Sequence, residues 1–322
     1  NGEHAWGDAP TLSHIMDLSI CREWAELQAR DVYGAADGAI LPTEAEKAAL
    51  AAGTFREYSA ERIVFHVTEG LALEIGEAVE AAERSLRNFD LLGKTFPDFG
   101  KGIMKKAKCS PDAFVQMALQ LAYYRDQQQF TQTYESCAVR LFRDGRTETI
   151  RTATVPMYEL ISSSKLASWN VGASLDSTET CGTLREMMAV VGKAQGQLAK
   201  DASNGLGVDR HLFALYVVAV GTEVESPFLQ AVFKNGWKLS TSQIPTPQSH
   251  LDYKLDGDTH VKPAGCFGPV ADDGYGVCYS IPNDNLLCFH VSAKKAAENT
   301  DAVRMWDRIS AALEAMAAVL PK

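Results

Sequence analysis

The stretch SPDAFVQMALQLAYYRD, residues 110–126, decides the fold class of this chain. Ser110 is a typical helix N-cap, Pro111 suits the first helical turn, and Asp112 places a negative charge near the positive end of the helix. The apolar residues that follow predict a helix. Because strand patterns lie beyond it along the chain, helices and strands must share one core.

On either side of this stretch, the sequence shows both the alternating apolar pattern of strands and the apolar periodicity of helices. Strands are predicted at residues 62–69, around Val139 and Leu141 up to an Asp144–Gly145 turn, at 238–243, and at 275–281 and 285–291, which are joined by residues 282–284. Helices are predicted at residues 11–29, 75–89, 184–202, 211–220 and 301–320. The order has no strict βαβ rhythm, so we expect an α/β fold with a mixed β-sheet flanked by helices.

Composition narrows the possible partners. The 322 residues carry a formal net charge of −10, which argues against nucleic acid and anionic membrane as main partners, because both attract clustered positive charge. The seven cysteines include no CxxC pair, so neither a disulfide framework nor a structural zinc site is expected. The apolar run at residues 212–220 is shorter than the ~20 residues that span a bilayer and predicts a buried helix.

His4 and Asp8 form an H-x-x-x-D pair near the start of the sequence. Imidazole is a suitable base near neutral pH, and a carboxylate that accepts its second ring N–H would fix its tautomer. On a helical turn this spacing brings the two side chains together. The spacing alone also fits a chance pair on the surface.

Two basic features suggest anion binding. Four lysines lie just before the helix that starts after Ser110, and they would suit a phosphorylated ligand or form an ordinary solvated face: Lys101, Lys105, Lys106 and Lys108. In the segment Asp209-Arg210-His211, the arginine could be buried and bind a carboxylate, or it could form a surface salt bridge.

Hydroxyl groups and histidines give weaker signals. Ser240, Thr241 and Ser242 end a predicted strand, where a hydroxyl could stabilise an oxyanion or simply belong to a turn. His66 and His290 lie in apolar strand patterns and are interpreted as core histidines. No histidine has metal-ligand partners at a usable spacing, so no metal is predicted.

The order and wording of these motifs resemble the carnitine/choline acyltransferase family, and above all its long-chain (palmitoyltransferase) members of the mitochondrial outer membrane. The resemblance runs almost from end to end. It is carried by NGEHAWGDAP (1–10), FGKGIMKKAKCSPDAFVQMALQLAYY (99–124), TYES (133–136), LFRDGRTETIR (141–151), GVDRHLFALYVV (207–218), ESPFL (225–229), LSTSQ (239–243) and FGPVADDGYGVCY (267–279).

The resemblance implies roles for individual residues. It makes His4 the catalytic base, Asp8 its orienting acid, and Ser242 the group beside the developing oxyanion. The residues implied for coenzyme A binding are Lys101 and Lys105, which would hold the 3'-phosphate, Asp112 and Gln243. The residues implied for carnitine binding are Tyr134, Thr147 and Arg210, which would hold the carboxylate, Ser136 and Ser240.

The resemblance also implies the substrates and the architecture. Gly265 takes the place of a bulky residue that closes the acyl pocket of short-chain members, which implies an open acyl tunnel, although Cys266 replaces a glycine that is frequent in long-chain members. The implied reaction moves a long-chain acyl group between coenzyme A and L-carnitine, with coenzyme A as substrate and no bound cofactor. A shorter-chain carnitine or choline acyltransferase and a silent acyl-coenzyme A-binding protein remain alternatives.

The family fold implied is the coenzyme-A-dependent, chloramphenicol acetyltransferase-like acyltransferase fold, with two domains around a tunnel. Residues 1–62 would be a remnant of the first domain that carries the catalytic histidine, and residues 63–322 would form the C-terminal domain. The fragment itself is expected to be soluble and poorly active. Membrane association, at the cytosolic side of the outer mitochondrial membrane, would depend on a segment before Asn1.

Overall fold

A computed structural model describes residues 62–162, 166, 168, 178–244 and 265–321, with isolated positions at 11–12, 15–16, 19, 48, 254–255 and 259–260. His4, Asp8 and most of the helix predicted at residues 11–29 lie outside the described residues. The chain divides into two compact units, one of residues 1–86 and 245–265 and the other of residues 87–244 and 266–322. The domain boundary expected after residue 62 stays a prediction.

The helices are α1 (Glu69–Arg87), α2 (Lys101–Lys106), α3 (Pro111–Gln127), α4 (Val155–Ser162), α5 (Thr178–Ser203), α6 (Asp209–Gly221), α7 (Pro227–Phe233) and α8 (Ala302–Val319). The strands are β1 (Phe89–Phe96), β2 (Thr133–Ala138), β3 (Thr147–Arg151), β4 (Leu239–Gln243), β5 (Lys254–Leu255), β6 (Thr259–His260), β7 (Tyr275–Ser280) and β8 (Leu287–Lys294).

A six-stranded sheet organises the larger unit, in the order β1-β8-β7-β4-β2-β3. The central pairs β2·β4 and β4·β7 are parallel, and the pairs β1·β8, β7·β8 and β2·β3 are antiparallel. This confirms the predicted mixed sheet flanked by helices. The parallel strands β2, β4 and β7 end at the same edge of the sheet. The residues at and just after their carboxyl ends therefore lie close together.

Helix α3 is the centre of the core, and the local sequence explains where it begins. The Ser110 hydroxyl accepts the N–H of Ala113 at 3.4 Å, and Pro111 occupies the first turn. Residues 113–123 are buried without interruption between the sheet and neighbouring helices. α8 packs beside α3 and begins at Asp301, whose side chain accepts the N–H of Arg304 at 2.6 Å.

Two strand predictions are wrong. Residues 62–68 have no regular structure, and Ile63, Val64 and Phe65 are exposed, because an alternating pattern forms a strand only where a partner strand completes its hydrogen bonds. Val139 and Leu141 lie beyond the end of β2 at Ala138. There the Val139 N–H donates to the Arg146 carbonyl at 3.1 Å and closes the connection to β3.

The predicted turn at Asp144–Gly145 is confirmed, since Asp144 has a φ of 61° and a Cβ on Gly145 would approach the Val139 carbonyl oxygen to 2.4 Å. The predicted burial of residues 212–220 is wrong. The segment is helical, but Phe213, Val217 and Val218 are 48%, 52% and 60% exposed. One face of α6 packs on β3 and α7, and its remaining apolar side chains are left uncovered by the unit to which it belongs.

His290 is half-buried on β8, where burial lowers its pKa and favours the neutral ring. His66 is exposed in the irregular segment before α1, so its interpretation as a core histidine is wrong. Within the described ranges, no helix is both long and apolar enough to cross a membrane.

Candidate functional site

The two faces of the sheet separate two sets of polar residues. Side chains alternate along a strand, and paired residues on adjacent strands share a face. Tyr134 pairs with Ser240, and Glu135 pairs with Thr241. The face with Tyr134 therefore also carries Ser136, Ser240 and Ser242, which are the residues implied for carnitine and the oxyanion. The opposite face, with Glu135 and Thr241, meets α3 and α5.

Two of the predicted residues, Ser136 and Ser242, are in contact on the face that carries Tyr134. The hydroxyl oxygens of Ser136 and Ser242 are 3.2 Å apart, although 106 positions separate them in the chain. Ser242 is half-buried near the end of β4, and Ser240, two residues earlier on the same strand, is buried. A pair of hydroxyls at the end of parallel strands can donate hydrogen bonds to an oxygen that gains negative charge.

Thr147 and Arg210 also meet. The Arg210 guanidinium donates from Nη2 to the Thr147 hydroxyl at 3.2 Å and from Nε to the Thr147 carbonyl at 3.3 Å. The backbone N–H of Arg210 donates to the buried Glu148 carboxylate at 3.1 Å, which fixes the start of α6 against β3. Arg210 itself is exposed, so its remaining donors are available to an anion.

Three of the four lysines, Lys101, Lys105 and Lys106, lie on α2, and Lys108 follows the end of that helix. Lys101 and Lys105 are one turn apart on α2, with Lys101 half-buried and Lys105 exposed. Lys101 Nζ donates to the Pro282 carbonyl at 3.4 Å, which turns this ammonium toward the connection between β7 and β8. Asp112 lies in the first turn of α3 just beyond, so two cations and a helix N-terminus lie close along the chain.

The opposite face of the sheet, which carries Glu135 and Thr241, contains a buried polar network that the sequence interpretation missed. Tyr279 donates to Asp112 at 2.5 Å, and Gln116 donates both to Tyr279 at 2.9 Å and to Thr241 at 3.0 Å. Thr241 in turn donates to the Tyr134 carbonyl at 2.8 Å. The network therefore connects Asp112, implied for coenzyme A, to the strand that carries the residues implied for carnitine.

Glu135 completes this network and is its most unusual member. Burial, followed by repulsion from Asp112, raises its pKa to about 9, although Gln195 donates a hydrogen bond to it. Burial also raises the pKa of Asp112, against the hydrogen bonds from Tyr279 and Glu135. Glu135 is thus a protonated acid that donates to Asp112. Its place in T-Y-E-S, between two residues of the opposite face, was the available signal.

The remaining predicted residues are more scattered. Gln243 is exposed at the end of β4, where it pairs with Tyr279. Gly265 is exposed and belongs to the unit of residues 1–86 and 245–265. His4 and Asp8 lie outside the described residues, so their roles stay predictions. Among the described residues, no group of three or more histidine, cysteine or acidic side chains could hold a metal ion.

The cysteines Cys109, Cys137, Cys181, Cys266, Cys278 and Cys288 are free thiols. Cys278 lies on β7 opposite Ser242, and burial raises its pKa to about 12. A thiol that stays protonated is a poor nucleophile. The Cys278 thiol, on the strand beside Ser242, is therefore unsuited to accept an acyl group.

Comparison with known proteins shows the family of the chain. A family model described as choline/carnitine O-acyltransferase matches residues 1–311. The chain is 36% identical to the muscle isoform of human carnitine O-palmitoyltransferase 1 over 316 residues and 37% identical to the human liver isoform over 321 residues. Each alignment covers 97% of this chain and 37% of the relative.

Identity extends to members that are named for shorter acyl groups. The chain is 31% identical to pigeon (Columba livia) carnitine O-acetyltransferase over 265 residues, which cover 81% of this chain and 38% of the relative. The chain therefore spans well under half the length of the curated relatives that it matches. With the family model matched over nearly all of its residues, the chain belongs to the choline/carnitine O-acyltransferase family.

Proposed function

We propose that this chain provides the carnitine-binding and coenzyme-A-binding part of an acyltransferase that moves a long-chain fatty acyl group reversibly between coenzyme A and L-carnitine. The observation that carries the proposal is that residues implied for carnitine and for the oxyanion, distant in sequence, are brought into contact in two pairs. Ser136 meets Ser242 at 3.2 Å, and Arg210 meets Thr147 at 3.2 Å. We assign the unit to the chloramphenicol acetyltransferase-like acyltransferase fold on the same resemblance.

The chemistry follows from the side chains. Arg210 and Thr147 would bind the carnitine carboxylate together with Tyr134, and this charge-assisted contact would orient the hydroxyl group. His4, oriented by Asp8, would take the hydroxyl proton. The alkoxide then attacks the thioester carbonyl, and Ser242 donates to the oxyanion. Collapse breaks the C–S bond, and the coenzyme A thiolate receives the proton from the imidazolium.

Transfer is direct in this proposal, without a covalent acyl-enzyme. The raised pKa of Cys278 supports this step, since that thiol lies beside the hydroxyl pair but remains protonated. Coenzyme A would place its 3'-phosphate at Lys101 and Lys105 on α2, near Asp112 and Gln243. The acyl chain would pass Gly265, and the protein would act at the mitochondrial outer membrane.

Substitution of the base tests the proposal. In the protein at its full natural length, His4→Ala should lower palmitoylcarnitine formation by about 10²–10⁴-fold, the usual contribution of a general base. Coenzyme A binding, measured by calorimetry, should stay within about twofold, because this base acts on the proton and not on the phosphates. His14→Ala is the matched control. Wild-type rates in His4→Ala would refute the assignment.

Two measurements on the wild-type protein separate the alternatives. Faster transfer from acetyl-coenzyme A than from palmitoyl-coenzyme A would favour a short-chain enzyme, and a preference for choline would contradict the role of Arg210. Coenzyme A binding without any acylcarnitine would favour a silent binding protein.

A further inference from the structure

Arg151 on β3 lies beside Tyr134 on β2, which in turn lies beside Ser240 on β4. Tyr134 pairs with Ser240 on one side and with Arg151 on the other, so the three side chains share the face implied for carnitine. Arg151 is half-buried at the end of β3.

The guanidinium of Arg151 is tied to the residue beside Arg210. Nε donates to Oδ1 of Asp209 at 2.7 Å, and Nη2 lies 2.6 Å from the same oxygen. The Asp209 side chain is 4% exposed, so this ion pair is shielded from water. Asp209 is the first residue of α6, and Arg210 follows it. The ion pair therefore holds the start of α6 in register with β3.

The Arg151 guanidinium is also linked to Tyr134, through contacts that both make with the ring of Trp237. Arg151 Cζ lies 5.0 Å from the ring centroid of Trp237, within the range of a cation–π contact. The Trp237 ring meets the Tyr134 ring edge-on at a centroid distance of 5.5 Å. A second ring, that of Phe233 at the end of α7, lies 6.0 Å from Arg151.

Arg151 thus touches both supports of the residues that would bind a carboxylate. Tyr134 is supported by Trp237, and Arg210 follows Asp209, yet the two lie on different elements of the fold. Resting on the function proposed above, we propose that Arg151 is a positioning residue for the carnitine carboxylate. It sets the distance between Tyr134 and Arg210 without touching the substrate.

Kinetics on the full-length protein test this role. Arg151→Met keeps the unbranched apolar stem of the side chain but removes the guanidinium, and with it both the ion pair with Asp209 and the cation–π contact with Trp237. We expect the KM for carnitine to rise by about 10–100-fold, as a small misplacement of a substrate-binding group does. The KM for palmitoyl-coenzyme A should change by about twofold or less, because the lysines of α2 are untouched.

A substrate without a carboxylate distinguishes positioning from general damage. Choline keeps the trimethylammonium group and a hydroxyl but lacks the carboxylate, so kcat/KM for choline should be the same in Arg151→Met and in wild type. Asp209→Asn should reproduce the loss for carnitine, and the double variant should be no worse than the poorer single variant, because both remove one ion pair. Arg151→Lys should raise the KM less, since an ammonium keeps the charge but not the planar fork.

Arg143→Met is the matched control, because Arg143 forms an ion pair with Asp144 in which both side chains are more than 90% exposed. It should leave all constants unchanged. Equal losses with carnitine and choline, or an unchanged KM for carnitine, would overturn the role of Arg151. If Arg151→Met does not fold, as judged by circular dichroism, Arg151→Lys and Asp209→Asn decide by the same criteria. A wild-type protein that forms no acylcarnitine would overturn the proposed function and this role with it.

Discussion

The buried acid Glu135 makes the stability of this chain dependent on pH in a direction that can be worked out. Its pKa of about 9 in the folded protein lies above its ordinary value of 4.5, because burial and the neighbouring Asp112 disfavour the carboxylate. Between these values the unfolded chain releases a proton that the folded chain retains. The free energy of unfolding therefore falls as pH rises, by up to about 1.4 kcal/mol per pH unit.

Glu135→Gln removes this dependence with little change in shape. The amide of glutamine can still donate to Asp112 and accept from Gln195. Between pH 6 and pH 8 the wild-type protein should lose up to about 2.7 kcal/mol relative to the variant, two units of the slope above. The variant should accordingly be the more stable protein at pH 8, and the difference should be smallest near pH 5. Asp112, whose pKa is also raised by burial, adds a loss of the same sign at lower pH.

Urea unfolding followed by circular dichroism at several pH values measures this difference, provided that the denaturant slope is unchanged by the substitution. Glu186→Gln, at an exposed position of α5, is the control and should follow the wild-type curve. The reasoning is refuted if the difference between Glu135→Gln and wild type is constant from pH 5 to pH 8. Such a result would mean that Glu135 is ionised in the folded chain.

Two further predictions concern the start of α6 and the lysines of α2. A Cβ on Gly207 would lie 2.3 Å from Cγ of Glu148, so Gly207→Ala should displace the carboxylate that accepts the Arg210 N–H and destabilise the protein by about 1–3 kcal/mol. Gly196→Ala, with nothing within 4 Å in the middle of α5, should instead stabilise it by up to about 1 kcal/mol, and equal effects in urea unfolding would contradict this account. Lys105→Ala should weaken calorimetric binding of coenzyme A but not of 3'-dephospho-coenzyme A, and an equal loss for both ligands would remove Lys105 from the phosphate site.

The elements that the sequence predicted correctly are those with local signals. α3 and α8 have N-caps and apolar periodicity, and β7 and β8 have continuous apolar patterns, so each could be placed within a few residues. β2 was missed because its polar residues give no apolar alternation, since one face serves a buried network and the other the candidate site. The strand predicted at residues 62–69 failed for the converse reason, because a pattern contains no information about a partner strand.

The candidate site shows the same division. Lys101 and Lys105 could be paired from spacing alone, because helical neighbours are fixed by local geometry. The sequence pattern alone gave no reason to bring together Thr147 and Arg210, or Ser136 and Ser242. The resemblance assigned them to one site, and the fold places the members of each pair in contact. Glu135 and Arg151 stand inside quoted motifs to which the resemblance gave them no role, and their importance depends on what surrounds them in the fold.

These observations give β2 a single physical role. Its alternation sends Tyr134 and Ser136 to the face implied for substrate and Glu135 to the network beneath, so a change at Glu135 is transmitted by a rigid strand. Deprotonation of Glu135 would place a second negative charge beside Asp112, and among the described residues no cation is paired with either carboxylate. Repulsion between the two charges would act on β2, and we expect the Ser136–Ser242 distance of 3.2 Å to change with it. We therefore expect the geometry of the opposite face to depend on the protonation of Glu135.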